Sequence, residues 1–452
     1  MRSNISIRAG ALVSVSRLLL GAATAASVLV GAMVTRSPID AVVLVIVCAA
    51  VAIALTRPAV LFALGVALLA VEPAKIFRDG SALGRAENFK LVLYACMLPM
   101  LLDRGLDRRK CAPLCAYVFV TVSSEVLGTA LPGLTVSQTA ASLATLSLGW
   151  LVFAMNWDWR RDQRLLKVLA WVPIMSVAVA AALQADGILA VFRHTTPPRL
   201  EGATIAAWLA TLSLCAVMAC LVLYRRQQWR WAKWLGLADA AILGATLTRG
   251  AVLALGIVML PTIVRFVRRQ LAARGSAGVV KLAVAAVAAL AAAAALVPGL
   301  QERNEHASVL VGGHGAHEIA SGRFEAWTFA YDQAKVNLAF GRGVGAGPLV
   351  GRIPGSPAGF IAQHNEYVRM LLEVGILGAV ILLLSMFTTI RSVIRRAPVE
   401  IRADLTAAGI AFAIYSITEN TLSATPLAVA FLLVLGIASS AIGYPSALAA
   451  RR

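Results

Sequence analysis

The chain alternates long apolar runs with short polar breaks, and the runs are long enough to predict helices that cross a membrane. A hydrocarbon core is crossed by about 20 consecutive apolar residues. Windows of this kind lie near residues 17–34, 40–56, 58–73, 88–102, 111–130, 137–156, 166–186, 203–223, 235–249, 250–264, 279–299, 368–390, 404–420 and 426–444. The pairs within 40–73 and 235–264 are each short for two full crossings. The pattern predicts an all-α, polytopic integral membrane protein with about 12–14 transmembrane helices. One interval interrupts it: from Pro298 to Asn365 the chain turns polar, then returns at once to Ala, Leu, Val and Ile. The expected organisation is therefore membrane helices over 1–299, one large loop over 300–365 and further membrane helices over 366–452. Arg2 and Arg8 precede the first apolar run, as in a signal peptide. More spans follow and no clean cleavage site stands out, so an uncleaved first helix is expected.

Composition agrees with this class: 60% of residues are hydrophobic, 14% are charged and the mean hydropathy is +0.81, far from a water-soluble globular domain. A net charge of +19 suggests nucleic acid until the charges are placed. They fall in clusters between spans: Arg104, Arg108, Arg109 and Lys110; Arg160, Arg161, Arg164 and Lys167; Arg225, Arg226, Arg230 and Lys233; Arg265, Arg268, Arg269 and Arg274; Arg391, Arg395, Arg396 and Arg402. Short basic loops stay on the cytoplasmic side. The clusters are thus topology signals, and no nucleic-acid partner is expected. Arg451 and Arg452 place the C-terminus on the same side, and the count places the N-terminus there too.

With those clusters inside, the stretches 187–202 and 300–365 and the turn near Arg249 lie outside. So do all five histidines, His194, His306, His314, His317 and His364. The stretch from Lys75 to Lys90 is an exception, basic yet outside by the same count; either that count is off by one, or its charges meet an anionic partner. The six cysteines, Cys48, Cys96, Cys111, Cys115, Cys215 and Cys220, all avoid the outer loops. Neither a disulfide framework nor a cysteine metal site is expected there.

The outer segments carry the candidate chemistry. An arginine at membrane depth is costly, so Arg249, inside an apolar hairpin, faces a cavity, a partner or a ligand, or else snorkels to the interface. Arg199 is either a solvated loop charge or a second guanidinium at the same level. Together the two could fork the oxygens of a pyrophosphate. Asn365 reads as a helix cap, which sets His364 beside a helix N-terminus, where anions bind. A neutral imidazole there could take the proton of a sugar hydroxyl, or could only satisfy loop backbone. Glu325 and Glu366 are rival bases. Trp327 and Tyr331 share a face of an expected helix over 322–340, suited to sugar stacking or to interface anchoring. His314 and His317 lack the further ligands that a metal needs. Gly341, Gly343, Gly345 and Gly347 resemble a phosphate loop but no Gly-Lys-Ser/Thr follows.

In their order, Arg199-Leu200-Glu201-Gly202, Leu247-Thr248-Arg249-Gly250, Ser321-Gly322-Arg323 with Trp327, Gly341-Arg342-Gly343-Val344-Gly345, and His364-Asn365-Glu366-Tyr367 followed by Glu373-Val374-Gly375-Ile376-Leu377-Gly378 resemble the O-antigen ligase and polymerase superfamily of bacterial envelope glycosyltransferases. The chain departs from the family where Ala203-Thr204-Ile205-Ala206 follows the first motif in place of Asn-Pro-Asn-like residues, and where Thr248 replaces a serine. The resemblance implies a multi-pass protein of the bacterial inner membrane with its active site on the periplasmic side. It implies glycan transfer from undecaprenyl pyrophosphate without metal, cofactor or nucleotide sugar. In the ligase branch the acceptor is lipid A–core oligosaccharide; in the polymerase branch it is a second lipid-linked repeat unit. An Arg followed by a Gly with ten residues between them, described in both outer loops of polymerases, is absent from 187–202 and 300–365, which favours the ligase. On this reading His364, Arg199 and Arg249 are catalytic, and Arg323, Glu325, Trp327, Arg342, Asn365 and Tyr367 bind substrate. A lipid-linked oligosaccharide flippase is the alternative from another class. It would need a charged path through the spans, where few charges are found.

Overall fold

Helices dominate the computed structural model, which describes residues 57–76, 86–185, 187, 189–193, 198–227, 229–272, 317–356 and 363–441. The expected spans 17–34, 40–56 and 279–299 lie outside these residues, as do His194, His306, His314 and loop residues 300–316. In chain order the helices are α1 (Pro58–Leu68), α2 (Pro73–Ile76), α3 (Ala86–Arg104), α4 (Ala112–Leu127), α5 (Val136–Ala154), α6 (Trp159–Ala185), α7 (Ala206–Gln227), α8 (Trp231–Ala245), α9 (Arg249–Ala272), α10 (His317–Ala334), α11 (Gly347–Val350), α12 (Glu366–Arg396), α13 (Val399–Tyr415) and α14 (Thr425–Ser439). The remaining described regular structure is two 3₁₀ turns and a two-residue antiparallel pairing of β1 (Phe192–Arg193) with β2 (Arg199–Leu200). The protein is thus all-α and polytopic. Among the described residues α5, α6, α7, α9 and α12 are long and apolar enough to cross a membrane, and α1, α4 and α14 are shorter apolar helices.

The chain forms two compact units. One comprises residues up to Gly65 together with Val92–Asp103. Within it Gly65 lets α1 approach α3, because a Cβ there would collide with that of Cys96. The other comprises Val66–Leu91 and Arg104–Arg452 and holds every candidate site residue described below. Its centre is α14, buried along its whole length. Small residues allow the close approach: Gly149 of α5 faces Ala428 and Leu432, and Gly436 faces Trp157. Without a hydrophobic drive between helices in lipid, this close packing of small residues is what holds membrane helices together.

Two contacts fix the direction of the bundle. α9 packs along α13 with Gly250 against Tyr415 and with Arg265 bonded to Asp404 at 3.0 Å. These two levels are about 22 Å apart along α9 at 1.5 Å per helical residue. At the Asp404 end Arg225 reaches the same carboxylate at 3.5 Å, Arg226 pairs with Glu400 at 3.6 Å, and Arg104 bonds Asp162 at 2.9 and 3.2 Å. At the Gly250 end the candidate site gathers.

α12 departs from a regular helix at Gly375, whose φ of 67° is left-handed. The break frees backbone groups, and these are taken up by the Gly341–Gly345 segment and the turn before it. The amides of Arg342 and Gly343 donate to the carbonyls of Leu372 and Glu373 at 2.8 and 3.1 Å, and the amides of Ile376 and Leu377 donate to those of Leu338 and Ala339 at 2.8 and 3.2 Å. Backbone meets backbone here. A Cβ on Gly341 would stand 2.6 Å from the Glu373 carbonyl, and one on Gly375 would strike that of Ala339. The glycine run read from the sequence is therefore a packing device against the α12 kink, which satisfies polar backbone that lipid could not.

Candidate functional site

The site grows from four chain segments at the Gly250 end of the bundle. α10 supplies Arg323 and Trp327, which lie at i and i+4 and so share a face. Trp327 Nε1 donates to the Gln363 carbonyl at 2.7 Å, and Arg323 Nη1 donates to the Thr418 carbonyl at 3.0 Å. α10 runs from His317 to Ala334 and continues as a 3₁₀ turn over Lys335–Asn337, so the expected helix starts earlier and ends sooner than 322–340. Tyr331 lies further along α10, with Lys335 over its ring, and Trp327 meets Phe324 edge-on at 5.2 Å.

His364 follows. Its φ is +46°, a left-handed conformation uncommon outside glycine though more frequent for histidine than for most residues. Asn365 then caps α12, its side-chain oxygen accepting from the amides of Tyr367 and Val368 at 3.0 and 3.1 Å, as the sequence leads one to expect. The exposed His364 ring meets Glu419 with Nδ1 and Oε2 3.2 Å apart. An ionised carboxylate only accepts, so Nδ1 is the donor, and a neutral ring then carries its lone pair on Nε2. The Glu419 carboxylate is largely buried, with 13% of its side chain exposed, and its other oxygen lies 3.9 Å from Arg323.

Arg249 opens α9 and is exposed, with no hydrogen bond among the described residues. The like-signed Arg323 acts on it electrostatically. The adjoining Gly250 has no room for a side chain beside the Thr418 hydroxyl and the Tyr415 ring, so α9 begins flush against the loop that bears Glu419. Arg199 stands next to this start. Its Nε donates to the Thr246 carbonyl at 3.0 Å and its Nη2 to the Thr248 hydroxyl at 3.3 Å. It thereby holds the turn that presents Arg249, in which Leu247 has a left-handed φ of 52°. Off-pattern backbone of this kind costs about 1–3 kcal/mol and collects at functional sites.

Two helix N-termini, those of α9 and α12, converge on this place, and each presents the positive end of its dipole. Arg249, Arg323 and His364 are thus brought together, with Arg199 behind Arg249, and Trp327 and Asn365 serve as supports. Tyr367 turns to α13, donating from its hydroxyl to the Ala413 carbonyl at 2.8 Å. Glu325 is exposed on α10, two positions from Arg323 and so off its face, with no hydrogen bond among the described residues. Arg342 stands apart from the cluster. It is buried, donates to the carbonyls of Thr129 and Gln333 at 2.8 and 3.1 Å, and burial pulls its pKa down. Glu366 is also withdrawn: one oxygen accepts from Arg369 Nε at 2.9 Å, the other from the amides of Leu422 and Ser423 at 3.2 and 3.4 Å. It has no free oxygen with which to act as a base.

Sequence reasoning missed the loop Ser416–Ser423. Glu419 and Thr418 touch His364 and Arg323, and Asn420 accepts from the Asn365 amide at 3.1 Å. The polar break between the last two apolar runs is visible in the sequence, but Glu419 falls within the end of the expected span 404–420. Lys75, a basic residue of the stretch expected outside, bonds Glu201 at 2.5 Å within the Arg199 loop. No group of three or more His, Cys, Asp or Glu arranged to hold a metal occurs among the described residues.

Residues 237–383 match the family model Wzy_C, O-antigen ligase. The matched stretch contains Arg249, Arg323 and His364 and leaves Arg199 and Glu419 outside it. No curated protein matches the chain. The match supports the O-antigen ligase and polymerase superfamily and, at that level, a glycosyl-transfer enzyme of the membrane with lipid-linked glycan substrates.

Proposed function

We propose that the protein is an O-antigen ligase, moving a glycan from undecaprenyl pyrophosphate to lipid A–core oligosaccharide on the periplasmic face of the inner membrane. The observation that carries this reading is the His364–Glu419 pair beside Arg249 and Arg323, of which His364, Arg249 and Arg323 lie in the stretch that matches the O-antigen ligase model. An acceptor sugar hydroxyl loses its proton to Nε2 of His364 as its oxygen attacks the anomeric carbon of the donor. The bond from that carbon to the pyrophosphate oxygen breaks, and the pyrophosphate leaves with the electron pair. One displacement inverts the anomeric configuration. Glu419 orients the imidazole and stabilises the imidazolium that forms, as a carboxylate does for a catalytic histidine. Arg249 and Arg323, with the two helix N-termini, neutralise the charge that grows on the leaving pyrophosphate. Arg199 acts on Arg249 through the Thr246–Thr248 turn, a more indirect part than direct binding of the pyrophosphate.

The arrangement of the bundle supports this sidedness. The carboxylate-paired arginines lie at the opposite end from the site, and short basic loops are retained in the cytoplasm. The test is a reconstituted assay in which purified protein receives a lipid-linked glycan with either lipid A–core or a second lipid-linked glycan. Transfer to lipid A–core is expected. Chain growth on the second lipid-linked glycan alone would make it a polymerase, and translocation without any new glycosidic bond a flippase.

A further inference from the structure

A groove of about 740 Å³ runs between α12 and α13, which touch each other only sparsely, and reaches α14 at its floor. Its wall is apolar, with Leu383, Met386, Phe387, Ile390 and Ile394 from α12. At the end remote from His364 it is rimmed by Arg391, Arg395 and Arg402. These arginines differ from their neighbours at that end of the bundle. Arg104, Arg225, Arg226 and Arg265 each have a carboxylate within 4 Å. Among the described residues Arg391 and Arg395 have none. Arg391 lies over the Phe387 ring, 5.8 Å from its centre, and Arg402 donates to the Ala397 carbonyl at 3.1 Å.

We propose that this groove binds one anionic glycerophospholipid of the basic-end leaflet, its phosphate held by Arg391, Arg395 and Arg402 and an acyl chain lying in the cleft. The dimensions agree. From Arg395 back to Leu383 is about 18 Å along the helix, close to the half-thickness of about 15 Å that one leaflet's chains occupy. Basic pockets between membrane helices recognise anionic head groups in this way. An uncharged prenyl chain could fill the cleft but would leave the three guanidiniums without a counter-ion. Gly409 lines the cleft from α13, where a Cβ would meet only Ile394, at 4.0 Å, so a larger side chain there enters the groove without disturbing the backbone.

Native mass spectrometry of the purified full-length chain tests this, with phosphatidylglycerol and phosphatidylcholine of matched acyl chains and a polyprenyl phosphate as the three probes. Wild type should retain one phosphatidylglycerol, with a preference over phosphatidylcholine of about tenfold or more. The triple variant Arg391→Ala, Arg395→Ala, Arg402→Ala should lose that preference. Gly409→Leu, which keeps the arginines, should lose the bound lipid. Equal retention of both phospholipids by wild type would overturn the proposal. So would an unchanged preference in either variant, the Gly409→Leu result then meaning that the charges act only at the bilayer surface. Tighter retention of the polyprenyl phosphate than of phosphatidylglycerol, unmoved by the triple substitution, would give the groove to a prenyl chain.

Discussion

Two arginine centres adjoin the same loop and have opposite stoichiometry. At the start of α12 one guanidinium, Arg369, lies between two carboxylates, Glu366 and Glu373, and all three are buried. On the other side of the Ser416–Ser423 loop, Arg249 and Arg323 act on each other as like charges, Glu419 lies 3.9 Å from Arg323 alone, and Arg249 is exposed. The first centre is closed. Glu366 ties the amides of Leu422 and Ser423 to α12, and Glu373 accepts from the Gly347 amide at 3.2 Å, so the triad locks two loops to one helix. The second centre carries more positive than negative charge and faces outward. An arginine with carboxylates on both sides organises the protein, whereas two arginines with too little carboxylate between them keep the positive charge that the proposed function gives to the pyrophosphate.

Breaking the closed centre should have the largest effect. Arg369→Ala leaves two buried carboxylates facing each other, a loss of about 3–5 kcal/mol for a buried pair deprived of one partner. The variant should fail to accumulate in the membrane, measured as folded protein after solubilisation. Normal accumulation would mean that the triad is not what holds the loops.

Breaking the open centre should spare folding and abolish turnover. Arg249→Ala and Arg323→Ala should each raise the transfer barrier by about 2–4 kcal/mol, the range for loss of one electrostatic transition-state donor. Lysine at either position should restore part of the rate, because it keeps the charge and loses the two-pronged geometry. Transfer rates at matched membrane levels decide this; a near-normal Arg249→Ala would reduce that residue to an interface anchor.

Glu419→Gln sharpens the comparison with a smaller change. An amide can still face His364 but no longer fixes its tautomer through a negative charge. Transfer should fall about tenfold, or 1.4 kcal/mol, and less than additively when combined with His364→Ala. Additive losses would separate Glu419 from the imidazole. The smallest expected effect is that of chelation: because the guanidiniums do the neutralising, excess EDTA should leave transfer unchanged, and a loss restored by Mg²⁺ or Mn²⁺ would refute that.

The helices were legible in the sequence because apolar period and length are local properties. The expected spans within 88–264 and 368–444 each correspond to a helix, and the Asn365 cap was read from its place before an apolar run. The site was legible only where a motif carried it. Glu419 touches His364 across 55 residues of chain, and nothing local marks such a contact. Glu366, Arg369 and Glu373 were different. Their i, i+3 and i+7 spacing puts them on one helix face, and that spacing is the local signal that Glu366 is a partner of Arg369 and not a free base. Arg342, expected to bind substrate, carries no such local signal: its burial against the Thr129 and Gln333 carbonyls depends on how the chain returns to α4.

The central claim, that an acceptor hydroxyl is deprotonated by His364 as it displaces a lipid pyrophosphate, is tested most directly by purified His364→Ala in proteoliposomes with a lipid-linked glycan donor and lipid A–core acceptor. Product is quantified and its linkage stereochemistry determined by NMR against wild type. The account predicts that the variant inserts and folds normally and transfers at most about one part in a hundred of wild type, with the wild-type product inverted at the anomeric carbon. Transfer by His364→Ala at a wild-type rate, or a wild-type product that retains the donor's anomeric configuration, would contradict it.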